Sequence, residues 1–553
     1  MNVKTFSSGL IILLGFCFSV YSQQGSNWYV DNEVSGVNNG ISVITMDSYK
    51  TIMANYTLRQ EQNIHYIRAD ANGNNDGSDW TNAWNSFPET LERGHTYYVA
   101  GGNYSGRIFD DPEDGNQYIY IKKAATDEHG TNTGWNDSYG TTQAVFTHSI
   151  QFETGYWVWD GVTGSNNDES SYGFKIEVAS GTESDSHHQL IRLINTEEVL
   201  HNMEIRHTAM QNLGVENPSS QICIYSPASC INAVIANNYM YNPQYAMLIR
   251  NWNNCTIENN YFGPNWSNGD YHGGSISTSS DTSITVRNNI FEGIVGSGII
   301  HVVTNTSSDW YIYGNIFING STGRPSISAG GGKGFFNVWA YNNTFINQYH
   351  AGVHGSNGSG NIAFNNVFYN CEMMYFANCD HYYNWYYGSG DLWEPEDNYQ
   401  IGAGNPFLDY ENGNYSLVSA TEPGMSLSGF DNLDPDGTIR GQDGTIDRGA
   451  YEYSDSQGVG NSDPVITTMK LYQNYPNPFS TETIFEYELP GMSIIQILLY
   501  DITGRKVKTF FSGMQSEGTH EETVSGDSLS SGVYFFSIYG DNFKSTKKCL
   551  LIK

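Results

Sequence analysis

Basic residues are scarce. The 553-residue chain has 25 Lys and Arg against 58 Asp and Glu, for a formal net charge of −33. The deficit is uneven. Met469–Lys553 holds 8 basic and 9 acidic residues, leaving 17 basic and 49 acidic residues for the remainder. A body this acidic lacks the basic footprint that nucleic acid or an anionic membrane requires, so neither is expected as a partner. Long apolar runs are also missing. The one apolar core, Leu10–Val20, is too short to span a bilayer, and no transmembrane segment is expected. Cysteine is sparse, with seven in all, and its spacing fits no zinc pattern. Cys371 and Cys379 could pair within one loop or stay as buried free thiols. Long amphipathic helical patterns are nearly absent as well, which removes the helical fold classes.

What is present is turn chemistry and aromatic rings, with 59 Gly, 40 Tyr and 12 Trp. Short alternating apolar runs are broken throughout by Asn, Gly, Ser and Asp, so the chain reads all-β. Met1–Ser22 has a basic Lys4, the short apolar core and small or medium residues at Val20 and Ser22. That is the pattern of a secretory signal peptide, which predicts a mature start at Gln23. Residues 23–63 are read as an N-terminal cap or a degenerate opening segment.

A repeat dominates the middle of the chain. Asn237-Asn238-Tyr239-Met240 is followed by Asn259-Asn260-Tyr261-Phe262 and Asn288-Asn289-Ile290-Phe291. Gly314-Asn315-Ile316-Phe317, Asn342-Asn343-Thr344-Phe345 and Asn365-Asn366-Val367-Phe368 continue it. Alternating strands such as Ser283-Ile284-Thr285-Val286 precede most of these elements. No single unit can bury its own apolar face, so the units must stack. Asn tolerates the left-handed backbone of a sharp corner, and its amide can bond to the next coil. The aromatic residue after it fills the interior.

Residues 64–453 thus resemble the secreted right-handed parallel β-helix proteins, the architecture of pectate lyases and chondroitinase B. Asp76–Trp84 and Thr96–Gly106 look like the usual beginning of that fold, and Asp447-Arg448-Gly449-Ala450-Tyr451-Glu452-Tyr453 like its usual end. Beyond a polar linker, 454–468, comes Leu471-Tyr472-Gln473-Asn474-Tyr475-Pro476-Asn477-Pro478-Phe479. Together with Leu498–Val507 and the basic final strand, this resembles a type IX secretion system C-terminal sorting domain over 469–553. The resemblance implies a small C-terminal β-sandwich, the type IX machinery as a partner, and secretion to the medium or the outer cell surface.

A secreted β-helix with many rings implies a polysaccharide substrate. Trp252, Trp266, Trp310, Tyr382 and Trp385 are the candidate rings for stacking on sugars. Aligning the strand that opens each repeat puts Leu248, Ile276, Ile300, Ile327 and Val353 inward. Ile249, Ser277, His301, Ser328 and His354 then face outward. Coils lie about 4.8 Å apart, so His301 and His354 are expected roughly 10 Å apart on one face. Arg250, Asp270, Tyr271 and His272 complete a polar patch.

β-Elimination from a uronate needs its carboxylate neutralised, a base for the C5 proton and an acid for the leaving oxygen. Arg250 suits the first task, His301 or His272 the second and Tyr271 the third. Asp270 could orient His272 or hold Ca²⁺. Lys333 and Arg324 lie on nearby coils in Gly-rich turns. The expectation is an extracellular lyase acting on an acidic polysaccharide. One alternative is a glycoside hydrolase on the same fold, with Asp270 and Glu292 as its carboxylates. The other is a non-catalytic surface protein that binds glycans or adheres.

Overall fold

The computed structural model describes residues 63–453 apart from 165–166, 179–188, 196–197, 213–220, 266–272, 331, 391–395 and 428–431. It also describes most of 470–553, and four strands within 1–62. The chain divides into two compact units, 1–62 and 63–553. In the first, Leu10–Leu13, Phe16–Gln24, Asn27–Val30 and Val43–Thr45 form an antiparallel sheet in chain order. The expected linker, 454–468, lies outside the described residues.

The second unit opens with a parallel β-helix built of three walls. One coil shows the path. Thr282–Arg287 lies on the first wall, Ile290–Glu292 on the second and Ile300–Val302 on the third. Thr306–Tyr313 then returns to the first. The walls carry 14, 12 and 9 described strands, and neighbouring strands within each wall pair in parallel. This is the solution the alternating pattern demands, since each coil buries one face of three short strands and closes its hydrogen bonds on its neighbours. The interior is apolar from Ile67 to Tyr386 and includes an axial ring stack. Phe262, Phe291, Phe317, Phe345, Phe368 and Tyr386 follow one another at centroid spacings of 4.6, 4.9, 4.6, 4.8 and 5.2 Å.

The paired asparagines divide their labour at the corner between the first and second walls. The first of each pair adopts the left-handed backbone: Asn237, Asn259, Asn288, Asn342 and Asn365 have φ between 49° and 55°, and Gly314 has φ 66°. The second points inward and joins a buried ladder. Asn238 donates from its backbone and side-chain nitrogens to Asn260 Oδ1 at 2.9 and 3.0 Å. Asn260, Asn289, Asn315, Asn343 and Asn366 each repeat this to the next coil, as far as Asn384. Thr208 N starts the column by donating to Asn238 Oδ1, and Glu396 closes it by accepting from Asn384 N at 2.8 Å and Nδ2 at 3.0 Å.

Glu396 is buried and also accepts from Tyr386 Oη and His381 Nδ1, each at 2.7 Å. Burial pushes its carboxyl up, but the bonds from His381, Asn384 and Tyr386 outweigh this and hold it below the ordinary value. A depressed folded-state pKa contributes stability above the unfolded value, and that stability is lost as the pH falls through the folded one. The helix is therefore expected to weaken below about pH 4.3 in part through this group. In Glu396→Gln this acid-dependent loss should shrink, which urea unfolding midpoints at pH 6 and pH 3.5 would measure. An unchanged pH slope would rule the carboxylate out as its source.

After the last coil the chain folds back along the outside. Phe407–Asp409 and Asn414–Leu417 form a hairpin, and Phe407 and Tyr415 pack on Ile316, Ile318, Ile346, Val367, Tyr369 and Trp385 of the second wall. Leu427 and Met425 cover Tyr313, Tyr341 and Phe364 of the first. The closing Asp447–Tyr453 segment is a lock rather than a site. Asp447 accepts from Thr421 N and Tyr453 N, and Glu452 from Gly441 N and Asp447 N. Arg440 lies 3.5 Å from Glu452.

The last segment is a β-sandwich. A three-stranded sheet of Lys470–Leu471, Glu482–Leu489 and Gly518–Ser525 faces a four-stranded one. The latter comprises Lys506–Gln515, Ser493–Asp501, Gly532–Gly540 and Phe543–Leu551. All pairs are antiparallel, and Phe485 stacks on Phe536 between the sheets at 3.6 Å. The described cysteines are free, including Cys371 and Cys379.

Candidate functional site

The register of the third wall builds one continuous outward column. Arg192 pairs with Tyr225, Tyr225 with Leu248, and Leu248 with Ser277. Ser277 pairs with His301, His301 with Ser328, and Ser328 with His354. The two histidines thus share a wall, two rungs apart. Ile276, Ile300, Ile327 and Val353 point inward beside them, as the alternation requires.

One strand departs from the expected alignment. Met247, not Leu248, is in register with Ile276, so Leu248 faces out and Ile249 is buried. The run Tyr245-Ala246-Met247-Leu248-Ile249 is apolar on both sides, so alternation could not set its parity. Arg250 follows as an exposed corner residue, since Asn251 N bonds to Ser279 O on the next coil.

His301 is held within the wall. Its Nδ1 lies 2.9 Å from Ser328 Oγ, so the ring leans toward the next rung, and the residue is only 6% exposed. Small residues surround it. A Cβ on Gly330 would come within 3.6 Å of His301 Nε2, and one on Gly298 within 2.7 Å of Ser328 Oγ. His354 is half-buried and stacks on Tyr375 at 5.4 Å. Burial lowers its pKa; a bond to the Ala329 backbone opposes this, and the charge of Arg324 adds to the lowering. The imidazole is therefore neutral at neutral pH. Arg324 is close enough to act on it, which sequence reasoning noted only as a turn residue on a nearby coil. Arg192 was missed because the coils before residue 237 lack the Asn-Asn-aromatic signature. Lys333 is half-buried in the turn leading into Gly334–Tyr341 of the first wall.

Trp266, Asp270, Tyr271 and His272 lie outside the described residues. Glu292 stands on the second wall, accepting from Tyr261 Oη at 2.8 Å, and so is not beside the histidine column. Among the described residues no group of three His, Cys, Asp or Glu side chains could hold a metal ion.

The aromatic platform needs correction. Trp252 and Trp310 are fully buried inside the helix, and Trp252 Nε1 donates to Ser226 Oγ. Trp385 is buried beneath the returning hairpin. None of these three can offer a ring to a sugar. Tyr382 is half-buried at the end of a first-wall column that also holds Phe364. The rings that do face outward on this wall stack on each other along the axis, as Tyr311 and Trp339 do at 4.8 Å and 18°. Such a ladder turns its edges outward, whereas a sugar stacks on a ring face.

The chain's C-terminal segment is settled by comparison with known families. Residues 473–553 match the secretion system C-terminal sorting domain. This sorting domain is the antiparallel sandwich described above, and with it the protein is a type IX secreted one, extracellular or attached to the outer cell surface. No helix among the described residues is long and apolar enough to cross a membrane.

No curated protein matches the chain. Among solved structures, tailspike protein 2 from the Escherichia coli O157:H7 bacteriophage CAB120 is similar at 11% identity and TM-score 0.21. That likeness covers 83% of this chain and 64% of the tailspike, so the chain spans less than two thirds of its length. DFA-IIIase from Arthrobacter chlorophenolicus A6, in complex with GF2, is similar at 10% identity and TM-score 0.25. There the coverage is 72% of this chain and 100% of the other. Likeness this distant carries no argument about activity.

Proposed function

We propose that the protein is an extracellular polysaccharide-degrading enzyme and that the third-wall column cleaves a uronate-containing polymer by β-elimination. The observation that supports this is the shared register of His301, Ser328 and His354 on one outward column. Neutral His354 takes the C5 proton, Arg324 neutralises the carboxylate, and His301, leaning across Ser328, protonates the leaving oxygen. Backbones two rungs apart lie about 10 Å from each other, which two imidazoles leaning toward one another can bracket across one linkage. Arg192, further along the column, and Arg250, at the corner, supply cations for neighbouring uronates. They offset the chain's net negative charge locally, since salt screens the rest beyond about 10 Å. Where Ca²⁺ takes part, Asp270 is the carboxylate proposed to hold it.

The mature chain, screened on a panel of uronans, is expected to raise ultraviolet absorbance as each cleavage creates a double bond. Chelator in a parallel arm reads the Ca²⁺ contribution. Reducing ends released without the absorbance rise would replace elimination by hydrolysis. Neither signal on any uronan would reject the reading.

A further inference from the structure

A polar recess lies away from the third wall, at the corner between the first and second walls. It has a volume of about 200 Å³. Its floor is the outer residue of successive corners, Asn237, Asn259, Asn288 and Gly314, with Tyr261 beside them; Pro435, Asp436 and Tyr451 of the returning segment line it too. Three observations converge on it.

The first is chemical. Asn288 Oδ1 is buried without a hydrogen-bond partner, and a buried acceptor left unmatched is costly. The second is steric. The corner column runs Asn237, Asn259, Asn288, Gly314, Asn342, Asn365, and the one missing side chain is where the recess lies. A Cβ on Gly314 would meet Asn288 Oδ1 at 2.2 Å, so glycine there makes room for the Asn288 carboxamide, and a larger residue would push that carboxamide aside at the edge of the recess. The third is internal precedent. Further along the same column the carboxamides are already in use as docking groups. Asn342 Nδ2 donates to Asp447 O at 2.7 Å. Asn365 accepts from Met425 N at 2.6 Å and donates to Met425 O at 2.9 Å. The returning segment therefore occupies two rungs of a recognition strip and leaves three carboxamides facing the recess.

We propose that this recess binds one neutral sugar unit of a polysaccharide, as an anchoring subsite separate from the histidine column. The recess is roomy enough to admit a single sugar ring. Carboxamides about 4.8 Å apart, a carboxylate and tyrosine hydroxyls suit vicinal hydroxyl groups, which both donate and accept. Asp436 and the nearby Asp434 oppose an acidic sugar; burial, with the charge of Asp434 adding to it, already pushes the Asp436 carboxyl up.

The mature full chain, titrated calorimetrically with neutral oligosaccharides of gluco, manno and galacto configuration, should bind one of them at a single site. Gly314→Asn, which the left-handed backbone accepts, fills the recess. Asn288→Gly removes the unmatched carboxamide without straining its φ of 55°. Each should weaken binding by about tenfold, the worth of one buried polar contact, at an unchanged melting temperature. His301→Ala should leave the affinity unchanged, which separates this site from the proposed reaction centre. Absence of binding by every neutral oligosaccharide would overturn the proposal, as would binding that both corner variants leave intact. Preferential binding of an oligouronide, or of a peptide copying Thr421–Leu427, would also overturn it.

Discussion

His301→Ala is expected to lower turnover on a uronan by about 10²–10⁴-fold, the usual contribution of a positioned proton-transfer group. The ring is fixed by Ser328 Oγ, so Ser328→Ala should cost less and act mainly by loosening the ring. The loss should fall on kcat and leave KM close to its original value, because the imidazole acts on a proton rather than holding the polymer. The wild-type profile carries a second signature. His354 titrates below its ordinary value, so the acid limb of kcat/KM should lie below about pH 6.5, with activity rising as the ring loses its proton. His301→Ala retaining full turnover, or an acid limb above that value, would remove the column from the chemistry.

The second large effect concerns the fold. Asn289→Leu is expected to destabilise the helix by about 3–6 kcal/mol, at the extreme end for a single substitution. Leucine has similar bulk, so the loss is one of hydrogen bonds and not of packing volume. It removes the acceptor for Asn260 N and Nδ2, and the donor for Ile257 O and Asn315 Oδ1. Several buried groups are left unmatched at once, in a column where each bond polarises the next. Stability in a stacked array is a sum of units and their interfaces, so the damage should open the coils around residue 289 first. Hydrogen exchange should rise in Thr282–Arg287 and Thr306–Tyr313 before it rises near residue 100. Uniform exchange along the helix, or a melting temperature within a degree or two of the parent, would contradict this. Asn288→Gly next door, which touches no rung of the ladder, is the control.

The contrast between Asn288 and Asn289 shows what the sequence could convey. A pair of asparagines before an aromatic residue announces a corner, and local chemistry alone assigns the left-handed residue and the buried amide. The axial stack from Phe262 to Phe368 follows from the same repeat. Parity within a strand was legible only where polar and apolar residues alternate. Ser277, His301, Ser328 and His354 stand on the expected face because polar residues interrupt the run there. Leu248 and Ile249 do not, since the run Tyr245–Ile249 is apolar at every position. Trp310 and Tyr311 differ by one position, yet one fills the core and the other meets solvent; aromatic abundance says nothing about which. The return of 405–453 over two walls was invisible, because its contacts join residues up to about a hundred positions apart, as Ala450 N does with Thr344 Oγ1. The effect of the Arg324 charge on His354 was hidden for the same kind of reason, as it depends on how a Gly-rich turn is placed.

The amide ladder has a further consequence for how such a protein can change its length. Every rung donates in the same direction, so the two ends need different terminators, a lone donor at Thr208 and a carboxylate at Glu396. Between them the rungs are interchangeable. Duplicating or deleting one whole turn would leave both terminators with their neighbours, while the outer strip of histidine and serine grew or shrank by a single step. On the proposed function, the number of sugar units the column spans would change with gain or loss of repeats, with the ends untouched.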